Sequence, residues 1–418
     1  MSFVSTFNIL GENVDVKDSI ARDSINQIES YLNNITKYIV SNGGFEYTDI
    51  KKYEIGNGKS YSNPVDAFNN ADKAKPAIFL LYEGEYDVSS SSNLGLYLQN
   101  YWYLIGVGIR EKCHIYYNAN KNETYRSVIN TGKNCGIYNI YLTGNKTRYV
   151  IHDDFDENFG KSYYRIFSNC IIEGNNLTLK FPLGGGLKGG CHVKMENCLV
   201  INNSDNVCVS WHNMAGEENS NLIELYNNTF YCKGQNTIRL STVSEYAGKT
   251  GNKETHVIAL NNSNNSFLFD LEYGTGNPFT LRCNGLCYFS SANGQTIYWN
   301  NIENDDMFIK RFPYLPNYPV GIPVFVDGNN AIASLTNISA MLIEGILLTT
   351  SANTNQNVIA IKRGKIPASY LFGSPQTANQ WINYIQGATG VISCSTERGI
   401  AIGYIDTQGN AVIDPSLR

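Results

Sequence analysis

Apolar residues between positions 64 and 82 are spaced first as in a helix and then as in a buried strand. Val65, Phe68 and Ala71 recur at helical spacing behind Pro64, which predicts a short amphipathic helix. The run 78–82 that follows is apolar except for its final Tyr. A short continuous apolar run of this kind predicts a strand that is buried on both faces. The chain therefore enters its main segment through a helix that leads into a buried strand.

The middle of the chain repeats at a nearly constant period. Five strand-like pieces carry an Asn at an equivalent place, followed by a small or apolar residue and a second strand; these are Asn139, Asn169, Asn197, Asn228 and Asn262. Their separations are 30, 28, 31 and 34 residues. A period of roughly 20 to 50 residues without helices between the strands predicts stacked coils that bury a shared core. Asn tolerates the left-handed conformation of a bend, and stacked Asn side chains can bond as a ladder.

This pattern favours a parallel β-helix over an antiparallel sandwich. A sandwich would show tight Asn-Gly or Asp-Gly turns at intervals of roughly 8 to 12 residues, and these are scarce here. The first coil of a β-helix exposes unpaired strand edges and an open core. We therefore predict that the helix behind Pro64 caps the first coil.

Residues 12–40 carry a separate helical pattern. Apolar residues step by 4, 3, 4, 3 and 4 positions through Ala21, Ile25, Ile28, Leu32, Ile35 and Ile39. Ile at both core positions of a heptad favours a coiled coil of three or more chains. The same stripe also suits an amphipathic helix that packs on its own domain. With fewer than three heptads, both interpretations stay open.

The last hundred residues differ from the middle. A Pro-rich linker, FPYLPNYPVGIP, precedes several short strand-like runs, and QTANQWINYIQ (376–386) predicts one helix.

The expected fold is mainly β: a right-handed parallel β-helix with an N-terminal helix and a capping helix, plus a small C-terminal β-rich domain. The expected division is 1–45 (helical attachment or oligomerisation segment), 46–309 (β-helix) and 310–418 (C-terminal domain).

Composition excludes several classes of function. The net charge is -5 and no Lys/Arg cluster is present, so nucleic-acid binding is not expected. No apolar run approaches the ~20 residues of a membrane span, and the N-terminus has no basic segment followed by an apolar one, so no secretory signal is predicted.

The ten Cys form no CxxC pair and several lie in apolar runs. We expect buried reduced thiols rather than disulfides or zinc ligands, and neither a metal nor a cofactor.

Parts of the sequence resemble two known groups of β-helix proteins. The order of capping helix, "LLYEGEYDV" (80–88) and "WYLIGVGIREKCHI" (102–115) resembles the N-terminal entry of the pectin-lyase-like superfamily. "YYRIFSNCIIEGNN" (163–176) is similar to a pectin methylesterase stretch, a family that uses two carboxylates, a Gln and an Arg. The position of its nucleophilic Asp falls on Leu177 here, and that of its upstream Asp on Asp156, where Phe155 replaces the neighbouring Gln. Because Leu cannot attack a carbonyl carbon, the resemblance implies the fold without the esterase reaction.

Counting on from each repeated Asn brings a set of polar residues to one predicted face. His152 and His212 would lie two coils apart, about 10 Å, with a depression at Gly184–Gly186 between them. The candidate catalytic residues are His152, Asp153, Asp154, Asp156 and His212, because glycoside hydrolysis needs one carboxyl as acid and another as base or nucleophile. Trp211, Arg239, Tyr246 and Tyr273 are candidates for carbohydrate binding, since flat rings stack on sugar faces. The other interpretation is an ordinary solvated face of acidic loops.

The order of the segments resembles bacteriophage fibre, tailspike and virion appendage proteins. "KDSIARDSINQI" (17–28) resembles stretches that attach such proteins to the particle, and "CSTERGIAIGYIDTQGNAVI" (394–413) resembles terminal strands of phage fibres, without their Pro. The 320–365 stretch resembles small capsid-decoration barrels, so attachment to head or tail is equally admissible.

This resemblance implies a structural fibre on the virion surface. It would be homotrimeric, would contact other virion proteins through an N- or C-terminal segment, and would bind host-surface polysaccharide without inserting in a membrane. The alternative is a polysaccharide depolymerase on the same scaffold, supported by the acidic face around His152. The absent secretory signal and the heptad argue against a free secreted pectin-type enzyme.

Overall fold

The computed structural model describes residues 6–9, 12–15, 19–91, 94–153, 163–187, 190–213, 221–234, 236–242, 255–270, 279–283, 286–291, 296–300, 305–310, 321–327, 330–333, 343, 345–347, 358–361, 363–385 and 392–417. The chain is mainly β, and its parallel strands form a β-solenoid of about six turns. Two compact units are distinguished: unit 1 comprises residues 1–155, 163–184 and 194–205, and unit 2 comprises 156–162, 185–193 and 206–418.

Besides a 3-10 helix at Tyr47–Asp49, five elements precede the coils: β1 (Thr6–Ile9), β2 (Glu12–Asp15), α1 (Ser19–Gly43), β3 (Lys51–Ile55) and α2 (Pro64–Asn70). Each of the next six coils adds one strand to sheet 1, one to sheet 2 and one to sheet 3, in that order. These strands are β4 (Ala77–Tyr82), β5 (Gly84–Asp87), β6 (Leu96–Leu98); β7 (Trp102–Val107), β8 (Cys113–Asn118), β9 (Ile129–Thr131); β10 (Cys135–Tyr138), β11 (Tyr141–Asn145), β12 (Ile151–His152); β13 (Tyr163–Ser168), β14 (Ile171–Asn175), β15 (Leu183–Leu187); β16 (Cys191–Glu196), β17 (Leu199–Asn202), β18 (Val209–Asn213); β19 (Asn221–Tyr226), β20 (Thr229–Cys232) and β21 (Ile238–Thr242).

The remaining strands first extend sheets 1 and 3 and then form a sheet of their own. Four strands continue the parallel pairing: β22 (Thr255–Leu260), β23 (Asn265–Asp270), β24 (Phe279–Cys283) and β25 (Leu286–Ser291). Six more pair antiparallel: β26 (Thr296–Asn300), β27 (Asp305–Lys310), β28 (Pro323–Asp327), β29 (Asn330–Ala333), β30 (Gly345–Leu347) and β31 (Val358–Ile361). The C-terminal sheet has the order β32-β36-β35-β33-β34, with β32 (Gly364–Pro367), α3 (Ala368–Phe372), β33 (Trp381–Tyr384), β34 (Ile392–Ser395), β35 (Ile400–Ile405) and β36 (Asn410–Ile413).

The helix behind Pro64 caps the core as predicted. Asn63 closes the N-terminus of α2, because its Oδ1 accepts a hydrogen bond from the backbone N–H of Val65 at 2.8 Å. The ring of Phe68 packs 4.3 Å from Phe79 and 5.6 Å from Trp102, both of which are buried. An apolar face of the helix thus covers interior side chains of the first two coils.

The helix α1 packs on the outer face of sheet 1. Ile28, Ile35 and Ile39 of this helix are buried. They form one cluster with outward residues of β4, β7, β10 and β13, which are Ile78, Leu80, Tyr103, Ile105, Tyr138 and Ile166. Leu32 is partly buried against the same cluster. The described part of the heptad stripe therefore contacts its own domain, as in the second interpretation. The side chains of Ala21 and Ile25 lie outside the described residues.

The repeated turns that follow strands of sheet 1 contain left-handed asparagines. Positive φ values occur at Asn139, Asn169, Asn197, Asn227 and Asn261. The predicted positions were correct for the first three turns and one residue late for the last two, where Asn is doubled. Nδ2 of Asn169 donates to Oδ1 of Asn139 at 2.7 Å, and Asn228 donates to Asn262 at 2.9 Å. The predicted amide ladder is therefore present in both units, at two different positions of the turn.

The C-terminal region differs from the prediction in one element. The segment predicted as a helix at 376–386 contains the strand β33, which pairs antiparallel with β34 and β35. Among the described residues of this region, α3 is the only α-helix, and a 3-10 turn at Pro415–Leu417 follows the last strand. The strands β28–β31 pair with the extension of sheet 1, and the separate sheet begins at β32. The division of the chain at 310 stays a prediction.

The side chains of nine of the ten cysteines are described, and all nine are thiols, seven of them buried. This confirms the expected reduced state for those residues. No helix in the described part of the chain is long and apolar enough to span a membrane.

Candidate functional site

Asp153 lies in the interior of unit 1 rather than on a solvent-exposed face. Its Oδ1 is 3.0 Å from Nη1 of Arg165, and both side chains are 0% exposed. The Thr131 hydroxyl donates to the same oxygen at 2.8 Å, and the backbone N–H of Asp153 donates to the Gly184 carbonyl. A polysaccharide cannot reach this carboxylate, so the prediction of Asp153 as a catalytic residue is corrected to a buried structural role.

His152 is half-buried on the outer face of sheet 3. Its ring stacks on Tyr149 at 5.1 Å, and Nδ1 donates to Oδ1 of Asn130 at 3.1 Å. The prediction of a depression at Gly184 is wrong, because aromatic rings fill the space over this residue. A Cβ placed there would lie 2.4 Å from the Phe181 ring and 2.8 Å from the Tyr149 ring. Glycine at this position lets two aromatic rings lie directly on the backbone.

The predicted residues of unit 2 are only partly available to a ligand. Trp211 is 0% exposed, so its ring cannot stack on a sugar and its prediction as a carbohydrate platform is corrected to a core residue. His212 and Arg239 are half-buried, and Arg239 lies in register with Ser210 on the neighbouring strand. The predicted proximity of His152 and His212 stays a prediction. Asp154, Asp156, Tyr246 and Tyr273 lie outside the described residues.

Leu177, at the position of the esterase nucleophile, is a packing residue. Its side chain is 5% exposed, and its Cδ1 lies 2.4 Å from the place where a Cβ on Gly174 would stand. The missing side chain at Gly174 leaves room for Leu177 at this turn.

A second surface, which the sequence did not single out, lies on the outer face of sheet 2 in unit 1. Strands β5, β8, β11, β14 and β17 are parallel and in register. Alternate residues of each strand point outward. We call the outward positions of the first four strands the polar face, which comprises Glu85, Asp87, His114, Tyr116, Asn118, Tyr141, Thr143, Asn145, Ile171, Glu173 and Asn175.

A chain of hydrogen bonds crosses three consecutive strands of the polar face. Nδ1 of His114 donates to Oε2 of Glu85 at 2.5 Å, and Nε2 lies 2.8 Å from Oγ1 of Thr143. The imidazole also stacks on the Tyr141 ring, with centroids 4.3 Å apart and planes at 15°. Stacking and hydrogen bonding together hold the imidazole in one orientation.

A second group of bonds continues to the fourth strand. The Tyr141 hydroxyl donates to Oε2 of Glu173 at 2.6 Å, and Nδ2 of Asn203 donates to Oε1 of the same carboxylate at 3.2 Å. Burial raises the pKa of Tyr141 above its usual range, and the Glu173 carboxylate and the charge of Glu85 raise it further. The phenol therefore remains a neutral donor, and the carboxylate is held in place by neutral groups.

The order carboxylate, imidazole, hydroxyl in Glu85, His114 and Thr143 is also that of hydrolase triads. Acyl transfer additionally needs backbone or side-chain donors aimed at the developing oxyanion. Thr143 lies within β11, which is paired with β8 on one side and β14 on the other. The backbone N–H groups of β11 are therefore directed at neighbouring strands and not outward. The arrangement suits hydrogen bonding to a ligand better than covalent catalysis.

The signal for this surface was present in the sequence but needed the register between coils. Glu85 and His114 are register partners 29 residues apart, whereas the register partner of His114 on β11 is Tyr141, and Thr143 stands two residues further along that strand. The Asn repeat began only at the third coil, so the first two coils had no register from which to align "GEYD" and "CHIYYN" with "YLTGN".

Comparison with known proteins adds no relative. No protein-family profile matches the sequence, and searches of curated proteins and of solved structures return no match.

Proposed function

We propose that this protein is a structural fibre of a bacteriophage particle that binds host-surface polysaccharide through the polar face and does not cleave it. The observation that carries the binding function is the connected array of carboxylate, imidazole, phenol, hydroxyl and amide groups on rigid strands. Sugars present closely spaced hydroxyls, and recognition needs a few polar groups held in fixed places. Binding elements on strands are positioned more accurately than those on loops.

Two observations support binding over cleavage. Asp153, a carboxyl group of the predicted cleft, is buried against Arg165. The strand β11 is paired on both sides, so its backbone N–H groups point to neighbouring strands. They therefore offer no oxyanion donors beside the Thr143 hydroxyl.

The location on a virion and the trimer rest on the resemblance of the segment order to phage fibres. Ile28, Ile35 and Ile39 are buried against sheet 1, so a coiled coil through these residues would require α1 to leave the solenoid. A trimer would be easier to form through other surfaces, and the mass of the assembled protein in solution tests it directly.

The full chain should be incubated with a panel of bacterial capsule and cell-wall polysaccharides, with bound fraction and chain length read together. The test variant is Tyr141→Phe with Glu173→Gln. The matched control is Tyr82→Phe with Glu54→Gln, because the Tyr82 hydroxyl donates to Glu54 at 2.7 Å in a similar pair on another part of unit 1. We expect the test variant to lose affinity about tenfold for the loss of charged hydrogen bonds, and the control to bind as the native protein does.

Shortened chains in the native sample would identify a depolymerase and overturn the proposal. Equal binding by the test and control variants would move the binding site away from the polar face.

A further inference from the structure

The outward positions of sheet 2 in unit 1 have an uneven distribution of charge. All outward positions of β5, β8, β11, β14 and β17 are described, and among them stand the carboxylates Glu85, Asp87 and Glu173 but no Lys or Arg. His114 is the one group there that can become cationic. The surface therefore presents anionic groups among neutral donors and acceptors.

The hydrogen-bond partners of these carboxylates are neutral or weakly basic. Glu173 accepts from the Tyr141 hydroxyl and from the amides of Asn175 and Asn203. Asp87 accepts from the backbone N–H of Ser89 at 2.8 Å. Such partners orient a carboxylate but leave its formal charge in place.

Glu85 is bonded to His114 and remains open to solvent, with 66% of its side chain exposed. A further cationic donor can therefore approach it without displacing the imidazole.

Two cations near the border of this surface are already paired. Lys112 is 3.6 Å from Glu83, and Arg110 is 2.7 Å from Glu111. Lys146 stands in the turn after β11, beyond the column of asparagines. The negative charge of the polar face is thus not cancelled by a Lys or Arg at its outward positions.

The two ends of this charge pattern are far apart for a small ligand. Glu85 is on the first strand and Glu173 on the fourth, so three strand spacings of ~4.8 Å, or roughly 14 Å, separate them along the stack. One sugar ring cannot span this distance, whereas a linear oligosaccharide lying across the strands can.

We propose that the polar face selects linear glycans that carry free amino groups, with the glycan running across the strands from Glu85 to Glu173. This proposal rests on the glycan-binding function proposed above. Ammonium groups form charge-assisted hydrogen bonds with carboxylates, while ring hydroxyls bond the imidazole, hydroxyl and amide groups between them. Glycans rich in uronic acid or phosphate are repelled by the same charges.

Calorimetric titration of the full chain at about pH 6 tests the selection with four probes. The probes are the β-1,4-linked glucosamine hexamer, its fully N-acetylated form, a galacturonic acid hexamer and a penta-lysine peptide. We expect the glucosamine hexamer to bind about tenfold more tightly than the acetylated one, with a preference that shrinks at high salt.

The variant Glu85→Gln with Glu173→Gln should lose this preference, and Glu54→Gln should keep it. Asp87→Asn, on an exposed residue, gives a third variant with little risk of misfolding, and it should reduce the preference partially. Circular dichroism on each variant verifies the fold.

Equal affinity for the two glucosamine hexamers, a preference that survives in the double variant, or equally tight binding of penta-lysine would each overturn the inference. If a polysaccharide of the panel binds while the hexamers show no preference for amines, only the inference fails. If neither the panel nor any hexamer binds, the proposed glycan-binding function fails with it.

Discussion

The substitution Asp153→Asn separates a structural carboxylate from a catalytic one. Asp153 and Arg165 are 3.0 Å apart, and both side chains are 0% exposed. The amide is similar in shape to the carboxylate and can still accept the hydrogen bond of Thr131, which is 2.8 Å long in the native protein. What changes is the charge, because a buried guanidinium loses the Asp153 carboxylate.

Breaking one partner of a buried ion pair costs about 3–5 kcal/mol. We expect this loss in the free energy of unfolding of unit 1. Amide hydrogen exchange reports it locally in β9, β12 and β13, which carry Thr131, Arg165 and the residue before Asp153. Where exchange follows cooperative opening, about 3 kcal/mol corresponds to exchange roughly a hundredfold faster.

A second variant distinguishes lost pairing from general disruption. Replacing both partners of a buried pair by uncharged groups is often close to neutral, so Asp153→Asn with Arg165→Met should recover most of the protection. Asp49→Asn is the surface control, because its ion pair with Lys75 at 2.7 Å is solvent-exposed, and it should leave exchange in these strands unchanged. If Asp153→Asn accelerated exchange less than tenfold, or if it abolished polysaccharide cleavage while leaving exchange unchanged, the structural assignment would be refuted.

Three further outcomes are expected. Ile35→Ala should loosen α1 by about 2–5 kcal/mol of lost packing, so proteolysis of α1 should accelerate; unchanged cleavage would mean that sheet 1 does not hold the helix. Asn169→Ala should destabilise unit 1 by about 1–2 kcal/mol, because a left-handed Ala is strained and the amide ladder is cut, whereas Asn169→Gly should cost less in urea unfolding. Burial opposes ionisation of Asp406 and Asp414, yet hydrogen bonds from neighbouring groups, including Lys365 at Asp406, lower both pKa values below the ordinary 3.8. The stability that these carboxylates contribute is therefore present above pH 3.8 and lost as pH falls through their folded pKa values, and Asp406→Asn should flatten this acid dependence in a circular dichroism titration.

The apolar stripe of α1 shows what sequence periodicity cannot determine. The stripe that includes Ile28, Ile35 and Ile39 predicts a helix with one apolar face, and α1 is that helix. A stripe has the same composition whether it faces another chain or its own sheet. Which partner it buries depends on the outward apolar residues of sheet 1, such as Tyr103 and Tyr138, and these could be recognised as outward only from the stacked structure.

The prediction of a helix at 376–386 was wrong for a related reason. Its apolar residues have a spacing compatible with a helix, but β33 lies between β34 and β35. Ile382 and Tyr384 are buried there, and pairing on both sides outweighs a weak local preference.

The sequence by itself determined the coil period, the capping helix and the turns built on asparagine, because each depends on residues close together in the chain. The doubled asparagines at 227–228 and 261–262 left only a one-residue ambiguity.

The tertiary structure alone decided which polar residues meet. Asp153 points inward to Arg165, while Glu85, His114 and Thr143 meet on the outer face. Along a strand, neighbouring side chains point to opposite faces, so a shift of one residue exchanges core and surface. A site assembled from neighbouring coils is therefore set by the register of their stacking, which no local pattern of the chain contains.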